Sequence, residues 1–272
     1  MKSKWIAAPY LVWMGIFIIV PLLIVVYFAF TTADGGFTFN NIIQVGQYSE
    51  AIFKSILLGI VATAVCLLLG YPLGYIIARS TVRRQRTMVL LTMLPMWMNF
   101  LLRTYAWMTI LENNGLINRF LNAIGLGSLP LINNSGAVVL GMVYNFLPFM
   151  IMPIYSVMAK IDRRVIEAAE DLGANRLQVF KKVLLPLSFP GIATGITMVF
   201  VPAVSTFVIS RMLGGGDMLI GDIIEMQFVG STYNPYVGSA LSLVLMVLVF
   251  ICMAVMRQFG SDEESDFFIL LR

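Results

Sequence analysis

The residues able to do chemistry in this chain fall in three stretches. The first, 97–112, carries Trp97, Asn99, Arg103, Tyr105, Trp107 and Glu112. Aromatic faces attract cations by about 0.5–2 kcal/mol per contact, enough to hold a cation and weak enough to release it. Asn99, Arg103 and Trp107 follow at i, i+4 and i+8, the spacing of one helix face. Arg103 would repel a cation, so it reads as a structural or gating residue paired across helices, or else as the ligand of an anion. The second set is Tyr144 and Asn145 beside Pro148, together with Asp217, Asp222 and Glu225 next to the run Gly214-Gly215-Gly216. In the third stretch, 160–186, Val165, Ala168, Ala169 and Leu172 stand at i, i+3, i+4 and i+7 and Gly173 follows. That spacing makes an apolar stripe on a short amphipathic helix, and its small alanines suit it to a groove on another protein.

Much other chemistry is excluded. Histidine is absent, which removes imidazole bases, catalytic triads and imidazole metal sites. Cys66 and Cys252 lie far apart inside apolar runs, without zinc or redox spacing, and read as small core residues. No G-x-x-x-x-G-K-[ST] stretch occurs, so no nucleotide is cradled by such a loop here. We therefore expect this chain to bind no cofactor itself.

The elements that must position these residues are membrane helices. Of the 272 residues 59% are hydrophobic and 12% charged, and mean hydropathy is +0.89. Soluble domains carry about 25% charged residues, so a water-facing shell cannot be built. The apolar residues gather into six runs near the ~20 residues needed to cross a bilayer. The expected spans are 6–30, 54–79, 87–111, 135–159, 187–212 and 236–257. The first run is too long for a signal peptide and no small-residue cleavage site follows it, so it reads as a retained anchor. Five of the six contain proline, which a packed membrane bundle tolerates and a simple anchor does not need. Gly70-x-x-x-Gly74 and Gly191-x-x-x-Gly195 invite close helix approach. This divides the chain into a first anchor and outer loop (1–53), a core of five spans (54–257) and a short acidic tail (258–272).

Orientation follows from Lys and Arg. Of the 18, 14 fall on one side of the spans, three (Lys54, Arg119 and Arg211) on the other, and Arg103 lies within a span. The basic side is cytoplasmic by the positive-inside rule, which places both termini inside and explains the net charge of +4 without nucleic acid. Six acids (Asp34, Glu50, Glu112, Asp217, Asp222, Glu225) face the three outer bases, a rim that draws in cations.

Glu167-Ala168-Ala169, three residues, Gly173, nine residues and Val183-Leu184-Leu185-Pro186 together resemble the E-A-A…G…I-x-L-P loop of ABC importer permeases, with Val183 where isoleucine is usual. The resemblance implies a six-span, all-α, type I (MetI-like) permease fold. It also implies that Glu167, Ala168, Ala169, Gly173, Leu185 and Pro186 belong to a coupling helix docked on an ATPase subunit. Further stretches resemble the spermidine/putrescine permeases: Leu94-Pro95-Met96-Trp97-Met98-Asn99, Arg103-Thr104-Tyr105-Ala106-Trp107, Asn145 to Pro153, and Met212 to Gly216 with Leu219 to Asp222. They imply a polyamine importer in the bacterial cytoplasmic membrane. Its expected partners are ATPase subunits that hold ATP and Mg, a second permease, an extracytoplasmic polyamine-binding protein and membrane lipid.

Three rival readings remain in view. An oxyanion or ferric-iron permease would share the coupling loop, and Arg103 favours the oxyanion. An ion-coupled secondary transporter would need carboxylates near the span centres, and the spans hold none. An intramembrane enzyme would need a nucleophile–base pair that a histidine-free chain does not assemble. The charge split makes a prediction of its own. Single cysteines at 83 or 181, in a background lacking Cys66 and Cys252, resist an impermeant thiol reagent in intact cells, whereas those at 133 or 217 react. Labelling at 83 or 181 would invert the orientation.

Overall fold

A computed structural model describes residues 8–230 and 232–270, with side-chain detail ending at residue 254. The described residues are helical apart from turns and one isolated bridge between Thr31 and Phe37. The first apolar run is α1 (Ala8–Met14), one widened turn (Gly15–Ile19) and α2 (Val20–Ala29). The widening has a local cause. Pro21 offers no N–H and its ring presses on the carbonyl four residues back, which a wider turn relieves.

After α3 (Asn40–Val45), α4 runs from Ser49 to Arg79 straight through Pro72. α5 (Val82–Met93) follows, then a 3-10 turn (Leu94–Trp97) and α6 (Phe100–Leu111). The third expected span, 87–111, is therefore not one continuous helix. Pro95 starts a tight turn that ends extended at Met98, and the Asn99 side chain caps a new helix by accepting Leu101 N–H at 2.8 Å. α7 (Leu116–Ala123) lies in the loop before α8 (Ser135–Met158).

The long polar loop holds α9 (Arg163–Asp171) and α10 (Arg176–Val179). A second widened turn (Phe180–Leu184) again precedes a proline, Pro186, at the start of α11 (Leu185–Ser205). The fifth run thus begins earlier and ends sooner than the expected 187–212. Its helix stops at Ser205, and α12 (Val208–Leu213), α13 (Ile220–Phe228) and α14 (Pro235–Leu270) complete the chain. Among the described residues five helical stretches are long and apolar enough to cross a membrane: Val12–Ala29, Asn40–Arg79, Ser135–Met158, Arg176–Ser205 and Pro235–Ala254.

The centre of the bundle is α8, flanked by α4 and α11. Lipid tails are as apolar as leucine, so helices here are held by close packing rather than by escape from water. The two glycine pairs provide the closeness. A Cβ on Gly74 would lie 2.9 Å from Ile154 Cγ2, and one on Gly191 would lie 2.9 Å from the Pro153 carbonyl oxygen. Gly70 and Gly195 both face Met150, which is fully buried between them. A second cluster joins α2, α3, α13 and α14 through Ala29, Val45, Ile220, Ile223 and Leu241. The two clusters are linked where Ser55 Oγ of α4 accepts the Ile220 N–H at 2.8 Å.

Gly191→Ala drives a methyl group against backbone that cannot rotate away, and overpacking of this kind costs about 1–3 kcal/mol. We expect a lower thermal midpoint in detergent for that variant. Gly46→Ala, at a position with nothing within 4 Å, leaves the midpoint unchanged. Equal midpoints for the two variants would refute the packing account.

Candidate functional site

The best-defined site is α9 and its ends. The Asp162 carboxylate caps its start by accepting Arg164 N–H at 3.0 Å. At its other end Gly173 adopts φ +85°, a left-handed conformation that side chains disfavour. That turn lets Gly173 N–H reach the Glu170 carbonyl at 2.9 Å and Ala174 N–H reach the Ala169 carbonyl at 3.0 Å, closing the helix in a Schellman motif. Asn175 and Gln178 then cap α10 reciprocally at 2.9 and 2.8 Å. A Cβ on Gly173 would meet nothing within 4 Å, so backbone conformation rather than crowding demands glycine.

The two faces of α9 differ. Val165 and Ala168 are exposed and Leu172 is 90% exposed, so most of the apolar stripe has no partner within the chain. On the other face Arg163 pairs with Glu167 at 3.0 Å, and with Ile166 and Glu170 they overhang a cavity of about 830 Å³. Its far wall is the end of α4, from Tyr71 to Arg79, and its side is the start of the α10–α11 stretch. Leu185 and Pro186 lie at the head of α11, where the widened turn delivers the loop to the bundle.

The aromatic stretch is split by the break. Trp97 sits in the tight turn and is 76% exposed, and Tyr105 and Glu112 are exposed beyond it. Asn99 is spent as the cap of α6, so it does not share a helix face with Arg103. Arg103 is only 8% exposed, and its Nε and Nη1 have no hydrogen-bond partner among the described residues. Its guanidinium carbon lies 5.9 Å from the ring centroid of Phe100, on its own helix. Trp107 packs edge-on against Tyr144 with ring centroids 5.3 Å apart, tying α6 to α8. Asn145 is 2% exposed; it donates to the Gly141 carbonyl at 2.9 Å, and its Oδ1 is unpartnered.

The acids near the glycine run are largely engaged within the chain. Asp217 pairs with Lys54, and Glu225 with Arg211. Asp222 is 3% exposed, accepts the Ser210 hydroxyl and the Leu219 N–H at 2.9 Å, and lies 3.9 Å from Arg211 Nε. Burial pushes its carboxyl above the ordinary range, against the pull of Ser210, Leu219 and Arg211. The Arg211 hydrogen bond holds Glu225 below its ordinary value. Sequence reasoning missed Ser210 and Ser55 because a hydroxyl in an apolar run carries no periodic signal.

A bundle of long apolar helices, with a short amphipathic helix hung between two of them and its apolar face unpartnered, defines a multi-pass membrane transport subunit. Residues 70–261 match the family described as binding-protein-dependent transport system inner membrane component, and the chain belongs to that family. It is 37% identical over 248 residues to the spermidine/putrescine transport system permease protein PotB of Haemophilus influenzae, covering 87% of this chain and 86% of the relative. It is 34% identical to the PotB of Escherichia coli K12, covering 87% and 90%. Among solved structures it superposes on a chain of a bacterial ABC transporter importing the acidic polysaccharide alginate, with TM-score 0.74, 16% identity and 96% of each chain covered. A chain of the MetNI methionine ABC transporter superposes with TM-score 0.61 and 19% identity, covering 81% of this chain and 97% of that one. These likenesses establish the MetI-like permease fold.

The Asp222 cluster predicts a contrast between two variants. Asp222→Ala strands the Ser210 hydroxyl and the Leu219 N–H, and a stranded donor costs about 1–3 kcal/mol, so the thermal midpoint falls. Asp222→Asn keeps an acceptor oxygen without a buried charge, so the midpoint holds or rises. Because burial raises the folded-state pKa, acidification protonates wild-type Asp222 in the folded state first, and its contribution to stability grows as pH falls. The asparagine variant loses that pH dependence, which a midpoint series from pH 7 downward will read.

Proposed function

We propose that this chain is a permease subunit of an ATP-driven importer that carries polyamines across the bacterial cytoplasmic membrane. The observation that carries the coupling half of the reading is the unpartnered stripe of Val165, Ala168 and Leu172 on α9, beside the Glu167-Ala168-Ala169 motif. An exposed apolar stripe on a capped, rigid helix is what a groove on an ATPase subunit would bury. Glu167, Ala169, Gly173, Leu185 and Pro186 shape and deliver that helix. Both termini and this loop lie on the cytoplasmic side, the interrupted stretch 87–111 serves as a sixth span, and ATP and Mg stay on the partner.

The substrate half is supported by the PotB relatives and by what the broken third stretch presents. Trp97 and Tyr105 present exposed ring faces. A polycation can pass along such rings by successive weak contacts. Trp107, Tyr144, Asn145 and Glu112 support that face, and Asp217, Asp222 and Glu225 order the outer segment. Partners of the PotA, PotC and PotD kinds complete the importer: ATPase, second permease and extracytoplasmic binding protein. Alternating access then follows from rocking of packed helices under ATPase closure.

Leu172→Asp touches nothing in the chain, so it leaves expression and thermal midpoint intact while cutting ATPase co-purification and uptake at least about tenfold, the effect of losing roughly 1.4 kcal/mol. Trp97→Leu keeps apolar bulk and assembly but lowers uptake of labelled spermidine or putrescine in a deletion strain. Excess sulfate does not compete in either assay. Full uptake by the Leu172→Asp chain would remove the coupling role, and competition by sulfate would transfer the substrate to the oxyanions.

A further inference from the structure

The cavity beneath α9 lies on the face opposite the docking stripe, and its lining is specific. Two aromatic rings make an apolar corner, Tyr71 meeting Phe180 edge-on at 5.6 Å. The Tyr75 ring lies 5.8 Å from the Arg79 guanidinium. Among the charges, Arg163 and Glu167 neutralise each other at 3.0 Å. Arg79, Arg176 and Glu170 are left, and none of them makes an ion pair with a described residue.

Arg79 is the most demanding of the three. Its Nε and Nη2 are shut off from solvent and have no acceptor. A guanidinium that borders the cavity without a carboxylate partner offers a planar donor fork, and a fork of this kind matches a phosphate. Glu170, on the wall across from it, needs the opposite, a cation with N–H groups to give. The aromatic corner needs neither and suits hydrocarbon. At about 830 Å³ the cavity falls within the roughly 300–1,000 Å³ range of small-molecule sites.

Position narrows the source. Arg79 closes the stretch Asn40–Arg79 and Arg176 opens the stretch Arg176–Ser205, so the cavity lies where two apolar helices meet the membrane surface. Basic pockets between helices at that level take lipid headgroups. We infer that the cavity holds a membrane phospholipid with a phosphoethanolamine headgroup. Its phosphate lies on Arg79 with Arg176, its ammonium on Glu170, and the start of its chains against Tyr71 and Phe180. A phosphoglycerol headgroup would offer Glu170 neutral hydroxyls and leave its charge unmatched, and a phosphocholine headgroup has no N–H to give it. A lipid seated there braces α9 against the end of α4. This rests on the chain's being a multi-pass membrane permease and not on its substrate, so failure of the polyamine reading leaves it standing.

The test is native mass spectrometry of the chain purified with its co-purifying subunits, stripped in detergent and offered lipids with phosphoethanolamine, phosphoglycerol or phosphocholine headgroups and identical chains. The wild type retains the phosphoethanolamine lipid preferentially. Arg79→Gln lowers that retention about tenfold, the factor that corresponds to about 1.4 kcal/mol. Arg79→Lys keeps most of it, which separates lost charge from lost fold. Glu170→Gln reverses the preference toward phosphoglycerol, and Arg164→Gln, on α9 but outside the cavity, changes nothing. Equal retention of the three headgroups, or unchanged retention by the Arg79→Gln chain, would overturn the inference. So would a crosslink from a cysteine at 75 to a segment of an ATPase subunit, since that would place protein where the lipid should be.

Discussion

The architecture depends on the backbone contact of α4 and α11 with α8. In a bilayer the hydrophobic effect does not press helices together, so cohesion must come from distance. Four glycines remove the side chains that would hold the three helices apart, and Met150, Ile154 and Pro153 fill the seam. The consequence is direct, because α8 runs into the loop that carries α9 and α11 runs out of it. A force applied to α9 therefore reaches the most tightly packed part of the molecule through both of its connections.

Proline gives this packed unit its shape without loosening it. Pro21 and Pro186 each follow a single widened turn that takes up the lost N–H and the ring clash. Pro72, Pro148, Pro153, Pro190 and Pro202 sit inside continuous helices whose neighbours hold them in place. Pro95 alone coincides with a helix break in the described spans, because Met98 turns extended and Asn99 begins a helix of its own. That break carries Trp97 out onto the surface. A feature that looks like one more kinked span becomes the place where aromatic side chains are presented.

The end of the bundle beside the glycine run shows a different economy. An excess of acids beside few bases reads as a rim waiting for a cation, yet Asp217, Asp222 and Glu225 meet Lys54, Ser210 and Arg211 inside the chain. These contacts tie α12 to α13 and Asp217 to α4, and they reduce the free negative charge at that end.

Composition and periodicity by themselves determined the class, the positions of five spans to within several residues, the charge asymmetry and the short helix with its apolar stripe. These are legible because each is a local or summed property: hydropathy over a span, spacing along a turn, glycine before a helix stop. The glycine pairs were legible as invitations to close packing, but not the partners that accept them. Only the tertiary structure decided that 87–111 is broken, that Asn99 caps a helix, that Arg103 turns inward, and that Asp222 is buried against Ser210. It alone set Arg79 across a cavity from Glu170, 91 residues apart in sequence. Pairings of that kind depend on which helix faces meet, and a sequence in which nearly every face is apolar does not say which of them turns toward a neighbour and which toward lipid.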